Sequence, residues 1–490
     1  MHTRLGSSGP SRTVALVRNT AYRSASAGVV TAPVTASLTA PVTTPVTVLV
    51  TTLMTALATL GLMACRQPGA PPTATSTPGS GAGSGAVVAW PLVLQPQAIG
   101  AGSASAQPQI TTSDRGVIVS WLDATDGLAT LRFTERTASG WSAPRTVASG
   151  RDWFVSWADV PSVLRLRDGG LVAQWLKSVD PDIEAYDINM ATSSDDGRTW
   201  TRPFAPHGDG TRTQHGFVSL FEWPVGADGR ADVGLVWLDG RDQELKASDA
   251  EGGAMGLRFA RLAPGARTPP TPADAVVNDR VCECCPTSVA ITDDGVIAAF
   301  RDRSPREIRD IHTTRFENGA WTPPRPVHVD NWQIESCPVN GPAISARGQR
   351  VAVAWFTVKD DVGHAYVAFS DDAGRAWGPA IRVDDLASRG QVDVDLLDDG
   401  SAAVTWIEFA EQRSRFQVRR IDPSGARSAA VTIAAPVEGP QTEPGRVSGI
   451  PRMARMGDDL VFAWAESRSG GEEDLNVKGA VARIPRSGAP

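Results

Sequence analysis

The chain is short of cysteine, histidine and net positive charge, and each shortage narrows what it can be. Among 490 residues there are five cysteines and six histidines, and 47 basic side chains face 54 acidic ones, a formal net charge of −7. Residues 1–65 hold Arg4, Arg12, Arg18 and Arg23 and no acid, so the remainder carries 43 basic against 54 acidic residues, or −11. Nucleic-acid binding needs a concentrated basic face, and no nucleic-acid partner is expected. What the chain has in quantity is glycine (47) and proline (36), as a fold of short strands and many turns requires. With 41% apolar residues it can bury a large core.

The N-terminus reads as a targeting segment. Arginines come first, then a Thr/Val/Ala-rich tract, then an apolar stretch from Val46 to Ala64. Leu62-Met63-Ala64-Cys65 resembles the lipobox of bacterial lipoproteins, in which the cysteine becomes the lipidated first residue. The other reading is an ordinary secretory signal with an incidental cysteine. Residues 66–86, rich in Pro, Thr, Ser and Gly, cannot pack a core and form a flexible linker. The expected product is exported and lipid-anchored through Cys65 to the bacterial cell envelope, on its periplasmic or outer-membrane face.

From residue 87 to 486 the sequence repeats. Seven short apolar strands end in an aromatic residue followed by polar or charged ones, at Trp121, Trp175, Trp237, Phe300, Trp355, Trp406 and Trp464. Such a unit cannot bury its own apolar face and must stack on copies of itself. The expectation is an all-β protein, a β-propeller of four-stranded antiparallel blades, with seven blades favoured over six. In the fourth repeat the strands are expected at Thr287–Ile291, Gly295–Phe300, Ile311–Arg315 and Arg325–Val329. The third repeat, Gly216–Arg261, is irregular. The last, Pro451–Ile484, holds three strands, so an N-terminal strand at Val87–Leu94 is expected to supply the fourth and close the ring.

Two turns between third and fourth strands fit Ser-x-Asp-x-Gly-x-x-Trp: Ser193 to Trp200 and Ser370 to Trp377. Ser and Asp can bond the turn backbone, Gly can take positive φ, and Trp can pack between sheets. These turns resemble the Asp-box, or BNR repeat, of the sialidase-like propellers. The resemblance extends over Ala106 to Arg486 and implies a propeller fold and an acidic-sugar or other glycan ligand. Members that cleave sialic acid use three arginines on the substrate carboxylate, a tyrosine nucleophile paired with glutamate, and an aspartate acid/base. Here the early Phe-Arg-Ile-Pro motif is absent; Phe300-Arg301-Asp302-Arg303 is the nearest match. Only Tyr22, Tyr186 and Tyr366 exist, one in the leader and two on third strands away from the channel wall, so no tyrosine is assigned as nucleophile.

In an antiparallel blade the start of the first strand and the end of the second share a face, so those residues should converge at one mouth of the central channel. The richest contributor is the segment from Phe300 to Asp310. Arg301, Arg303 and Arg306 there are suited to grip an anion bidentately. Asp302, Glu307, Asp239 and Glu408 are candidates for acid, base or nucleophile. Asp123, Lys177 and Glu466 stand at equivalent positions. Arg241, Arg452, Trp332 and Asn340 are assigned to ligand contacts. The alternative for this loop is solvated, self-paired charge.

Four cysteines, Cys282, Cys284, Cys285 and Cys337, open innermost strands of adjacent blades. Outside the cytoplasm an even count points to disulfides. A Cys284–Cys285 bond would be strained, which favours pairs reaching Cys337 or Cys282. The alternative is a soft metal ion, zinc or Cu(I), held by the four thiolates with His215. His207, His312, His328 and His364 receive no role. Two functions stay open: an exo-acting glycoside hydrolase of sialidase type, or a non-catalytic surface lipoprotein, expected to be monomeric, that binds a glycan, a soft metal ion or a partner protein.

Overall fold

In the computed structural model, described here for residues 87–180, 182–224, 232–245, 253–263, 265–266, 274–411, 413–435, 450–467 and 475–485, seven antiparallel sheets form a ring. The blades run Ser105–Gly150, Ser162–Phe204, His215–Asn278, Ser288–Pro326, Ala343–Arg382, Ser388–Ala434 and Arg452–Arg483. In blade two the outermost strand shrinks to a bridge between Met190 and Phe204. The irregular third repeat is a full blade, in which a short helix, Arg241–Leu245, follows the second strand.

The repeated aromatic explains why the sheets stack in order. Trp121, Trp237, Trp355 and Trp406 are wholly buried, and Trp175, Phe300 and Trp464 nearly so. Each packs back onto the preceding blade. Trp175 lies with Leu131 and Phe133 of blade one, Trp237 with Leu176 and Ile188 of blade two, and Trp464 with Phe416 and Ile407 of blade six. Trp121 of blade one packs on Ala463 and Val477 of blade seven, which closes the circle. An aromatic side chain buries roughly 150–250 Å², so seven such contacts are a large share of the force joining the blades.

The closing strand differs in place from the expectation. Leu94–Gln97 pairs antiparallel with Gly479–Ala482 and completes blade seven. Val87–Val88 instead pairs in parallel with Arg427–Ser428 of blade six. Between them Trp90 and Leu92 sink into the core shared by blades six and seven, which uses up the apolar residues expected for one continuous strand.

The two Ser-x-Asp-x-Gly-x-x-Trp turns behave alike. Ser193 Oγ donates to Asp195 Oδ1 at 2.8 Å and accepts the Gly197 N–H at 2.9 Å, while Asp195 accepts the N–H and hydroxyl of Thr199. Ser370, Asp372, Gly374 and Ala376 repeat the pattern. Both glycines sit at φ +78, where a Cβ would be strained. Those donated bonds hold the Asp195 carboxyl down at about 2. Asp196 of the first turn meets Arg165, at the far end of its inner strand. The turns therefore occupy the face opposite His215 and Asp239.

Inner strands of neighbouring blades diverge too far for a ladder, and short polar side chains pin them instead. Thr111 donates to the Val163 carbonyl, Ser345 accepts the Leu396 N–H, and Asp393 and Asp395 accept the N–H groups of Met453 and Arg455. These strands enclose a channel of about 910 Å³ lined by all seven blades. Among the described residues no helix is long and apolar enough to cross a membrane.

Candidate functional site

The mouth residues divide into scaffold and site. Arg301 is scaffold. Only 1% exposed, it donates from Nε to the Asn340 carbonyl (2.8 Å), from Nη1 to Arg309 O (2.6 Å) and from Nη2 to Phe356 O (2.7 Å), beneath the Trp332 ring. Arg303, Glu307, Arg309 and Glu283 form a closed ring of alternating charge: Arg303 bonds both glutamates, and so does Arg309. These contacts lower the Glu307 pKa against its desolvation. Asp302 accepts from Asn278 at 2.8 Å, with burial raising its pKa. Arg306 is exposed. Charge pairing thus accounts for Arg303, Glu307 and Arg309, whereas Arg301, Asp302 and Asp310 bond uncharged groups and Arg306 is left exposed.

Several expected acids are held by the tryptophan two residues before them. Trp121, Trp237 and Trp464 donate their indole N–H to Asp123, Asp239 and Glu466 at 2.6–2.9 Å, and Trp406 donates to Glu408. Residues i and i+2 of a strand share a face, so Trp-x-Asp/Glu is a built-in buried acceptor. Glu408 also accepts the Leu386 N–H at 2.9 Å. Asn340 joins three blades, with its carbonyl on Arg301, its Nδ2 on Arg389 O and its Oδ1 accepting the Gln391 N–H.

The four cysteines meet beside this hub. Cys284 and Cys337 form a disulfide between blades four and five. Cys282 and Cys285 remain thiols, both buried, with Sγ atoms 2.7 Å apart. Burial opposes ionisation of Cys282, but the Cys285 hydrogen bond and the charges of Arg301 and Arg309 prevail and bring its pKa to about 6, while burial pushes the Cys285 thiol up. His215 stands elsewhere, in a separate cluster with Asp187 and His207.

That cluster lies at the junction of blades two and three, where His215, Asp239 and Arg241 are the residues expected from the sequence and Asp187, His207 and Asp209 are additional. His207 and His215 stack at 3.9 Å between ring centroids. Asp209 sits under both, 3.0 Å from His207 Nδ1 and 3.3 Å from His215 Nε2. Asp187 Oδ1 is 3.3 Å from His215 Nδ1 and 3.7 Å from His207 Nε2. Arg241 bonds Asp239 at 2.6 Å and Asp274 at 3.0 Å, and Arg258 bonds Asp274 at 2.7 Å. Burial would lower the His215 pKa; Asp187, Asp209 and Asp239 outweigh it and raise it to about 9.

Beside the cluster, on the channel wall, is Asp159. It accepts the Phe217 N–H at 2.7 Å and a hydrogen bond from Tyr186. Tyr186 therefore reaches a wall residue, contrary to its expected remoteness, although it is itself buried and stacked on Phe154 at 3.9 Å. Gly216 makes the contact possible: a Cβ there would stand 1.9 Å from Asp159 Oδ2. Desolvation raises the Asp159 pKa to about 7 against the pull of its two donors. Arg452, which opens the inner strand of blade seven, is also a desolvated lining residue, with Asp393 as its neighbouring charge and no hydrogen-bond partner for Nε among the described residues.

No protein-family model and no curated protein matches the chain. Solved structures do. It is similar to the GH93 α-L-arabinofuranosidase of Fusarium graminearum in complex with arabinobiose, at 13% identity and TM-score 0.43 over 68% of this chain and 95% of that one. It is similar to a polysaccharide lyase, Uly1, at 10% identity and TM-score 0.44 over 77% and 90%. A Hadza microbial sialidase matches at 17% identity and TM-score 0.35 over 62% and 63%.

Proposed function

We propose that the channel mouth binds a carbohydrate carrying an acidic group and cleaves its glycosidic bond, with Asp159 as general acid and Arg452 on the anion. The observation that carries this reading is Asp159: a channel-wall carboxyl held by two donors whose pKa, about 7, lets it be protonated near neutral pH. An acid poised near working pH is what protonation of a leaving oxygen needs. Arg452 supports the anionic preference, since its Nε lacks a partner among the described residues and burial desolvates its charge. The channel volume, about 910 Å³, falls within the ordinary range for small-ligand sites.

The test is hydrolysis of chromogenic sialosides and uronides against neutral glycosides. Asp159→Asn is expected to lower kcat by about 10²–10⁴-fold, and Arg452→Met to raise KM for the acidic substrates alone. Sialoside release would support the sialidase type in particular. Binding of an acidic glycan with no turnover would overturn the enzyme and leave a lectin-like surface protein. Export and lipid anchoring rest on residues 1–86, which lie outside the described residues. Cys65→Ser is expected to move the protein out of the membrane fraction.

A further inference from the structure

We propose that Asp187, His207 and His215 form a binding site for one divalent cation of the zinc class, separate from the cysteines. Their donor atoms lie within 4.8 Å of one another. His207 Nε2 is buried without a hydrogen-bond partner among the described residues, and His207 is only 5% exposed. A buried imidazole nitrogen aimed at a buried carboxylate oxygen 3.7 Å away is too far for a hydrogen bond but suits a shared ion. Ligands about 2.0–2.1 Å from tetrahedral zinc stand roughly 3.3–3.4 Å apart. Asp187 Oδ1 is 3.3 Å from His215 Nδ1 and 3.7 Å from His207 Nε2.

The surrounding shell fits the same ion. Asp209 lies within hydrogen-bond distance of His207 Nδ1 and His215 Nε2, which puts His207 Nε2 and His215 Nδ1 on the Asp187 side; His215 Nδ1 also stands 3.4 Å from the Tyr186 carbonyl. A carboxylate behind the imidazole is the usual arrangement at metal-bound histidines. Thr211 bonds Asp209 in turn through its N–H and hydroxyl. The charge balance points the same way. Asp187, Asp209, Asp239, Asp242 and Asp274 outnumber the two guanidinium groups among them, Arg241 and Arg258, so the junction is net negative and favours a cation. Three protein ligands leave a fourth position for water or a ligand oxygen, and Asp187, 29% exposed, opens it to solvent.

Metal content of the purified full chain and titration of the chelator-stripped protein with Zn²⁺ alone test this. One zinc per chain is expected, abolished in His207→Ala and Asp187→Asn, weakened about 10–100-fold in Asp209→Asn, and unchanged in Cys282→Ser and Cys285→Ser. No zinc on the wild type, or zinc lost with the cysteines and kept in His207→Ala, overturns the site. Should the histidine variant fail to fold, wild-type protein loaded with Co²⁺ decides. Tetrahedral bands without thiolate charge transfer support the site; thiolate absorption or no binding sinks it. None of these readouts needs turnover, so zinc bound with no glycan cleaved would overturn only the hydrolase reading.

Discussion

Two charge clusters share one face of this propeller, and they could hardly differ more. The blade-four segment is the densest run of arginine and acid in the sequence, yet Arg301, Arg303, Glu307 and Arg309 all turn to protein partners. The junction of blades two and three has charges spread from Asp159 to Asp274, and there His207 Nε2 is left unmatched. The dense loop is thus tied down through nearly every charged atom, with Arg309 Nε its buried exception among the described residues, whereas at the junction a whole imidazole edge faces a carboxylate without a hydrogen bond. Buried polar groups are almost always satisfied, so the exceptions carry the information.

The sharpest way to break the comparison is Arg301→Ala. If Arg301 is scaffold, it leaves three buried carbonyls unsatisfied and should cost about 5 kcal/mol, at roughly 1–3 kcal/mol each, read by urea unfolding. A variant that folds normally and loses only ligand affinity would put Arg301 back in the site. Asp159 supplies the next effect. Its folded pKa, about 7, lies above the ordinary value of 3.8. The native state then holds a proton that the unfolded chain has released, so stability falls as pH rises from about 4 to 7. The drop is on the order of 4 kcal/mol at 1.36 kcal/mol per pKa unit, and Asp159→Asn should flatten that part of the curve.

Cys337→Ser should cost about 3 kcal/mol by releasing the loop to Cys284. Thiol counting of the unreduced, unfolded protein should find Cys282 and Cys285 free; a count of zero for this pair would mean a second disulfide. The smallest effect is expected from Glu466→Gln, about 1 kcal/mol, since the amide oxygen can still accept from Trp464.

Much of the scaffold was legible because it repeats. The seven aromatics, the fourth-repeat strands and the two turns follow from local rules of alternation and turn chemistry; the structure keeps the first three of those strands within two residues and shortens the fourth to Arg325–Pro326. The Val87–Leu94 strand went astray because apolar content cannot separate a ladder from a loop that buries Trp90 and Leu92. The site was harder. His207 lies in a long connection with no periodicity, and Asp187 follows an ordinary third-strand tyrosine. The usable signal was position: His207 precedes an innermost strand, which is the rule that had singled out His215. Asp159 obeys it too. Nothing local distinguishes it from other acids, because its pKa comes from burial by distant blades.

Leu94–Gln97 pairs with Ala482–Gly479, so a strand from the start of the domain and its last strand share one sheet. During synthesis the ring cannot shut until nearly the whole chain has emerged, which makes its final step a slow, long-range encounter. Val87–Val88 precede that latch and are pinned to blade six, so the start of the domain grips two neighbouring blades at once.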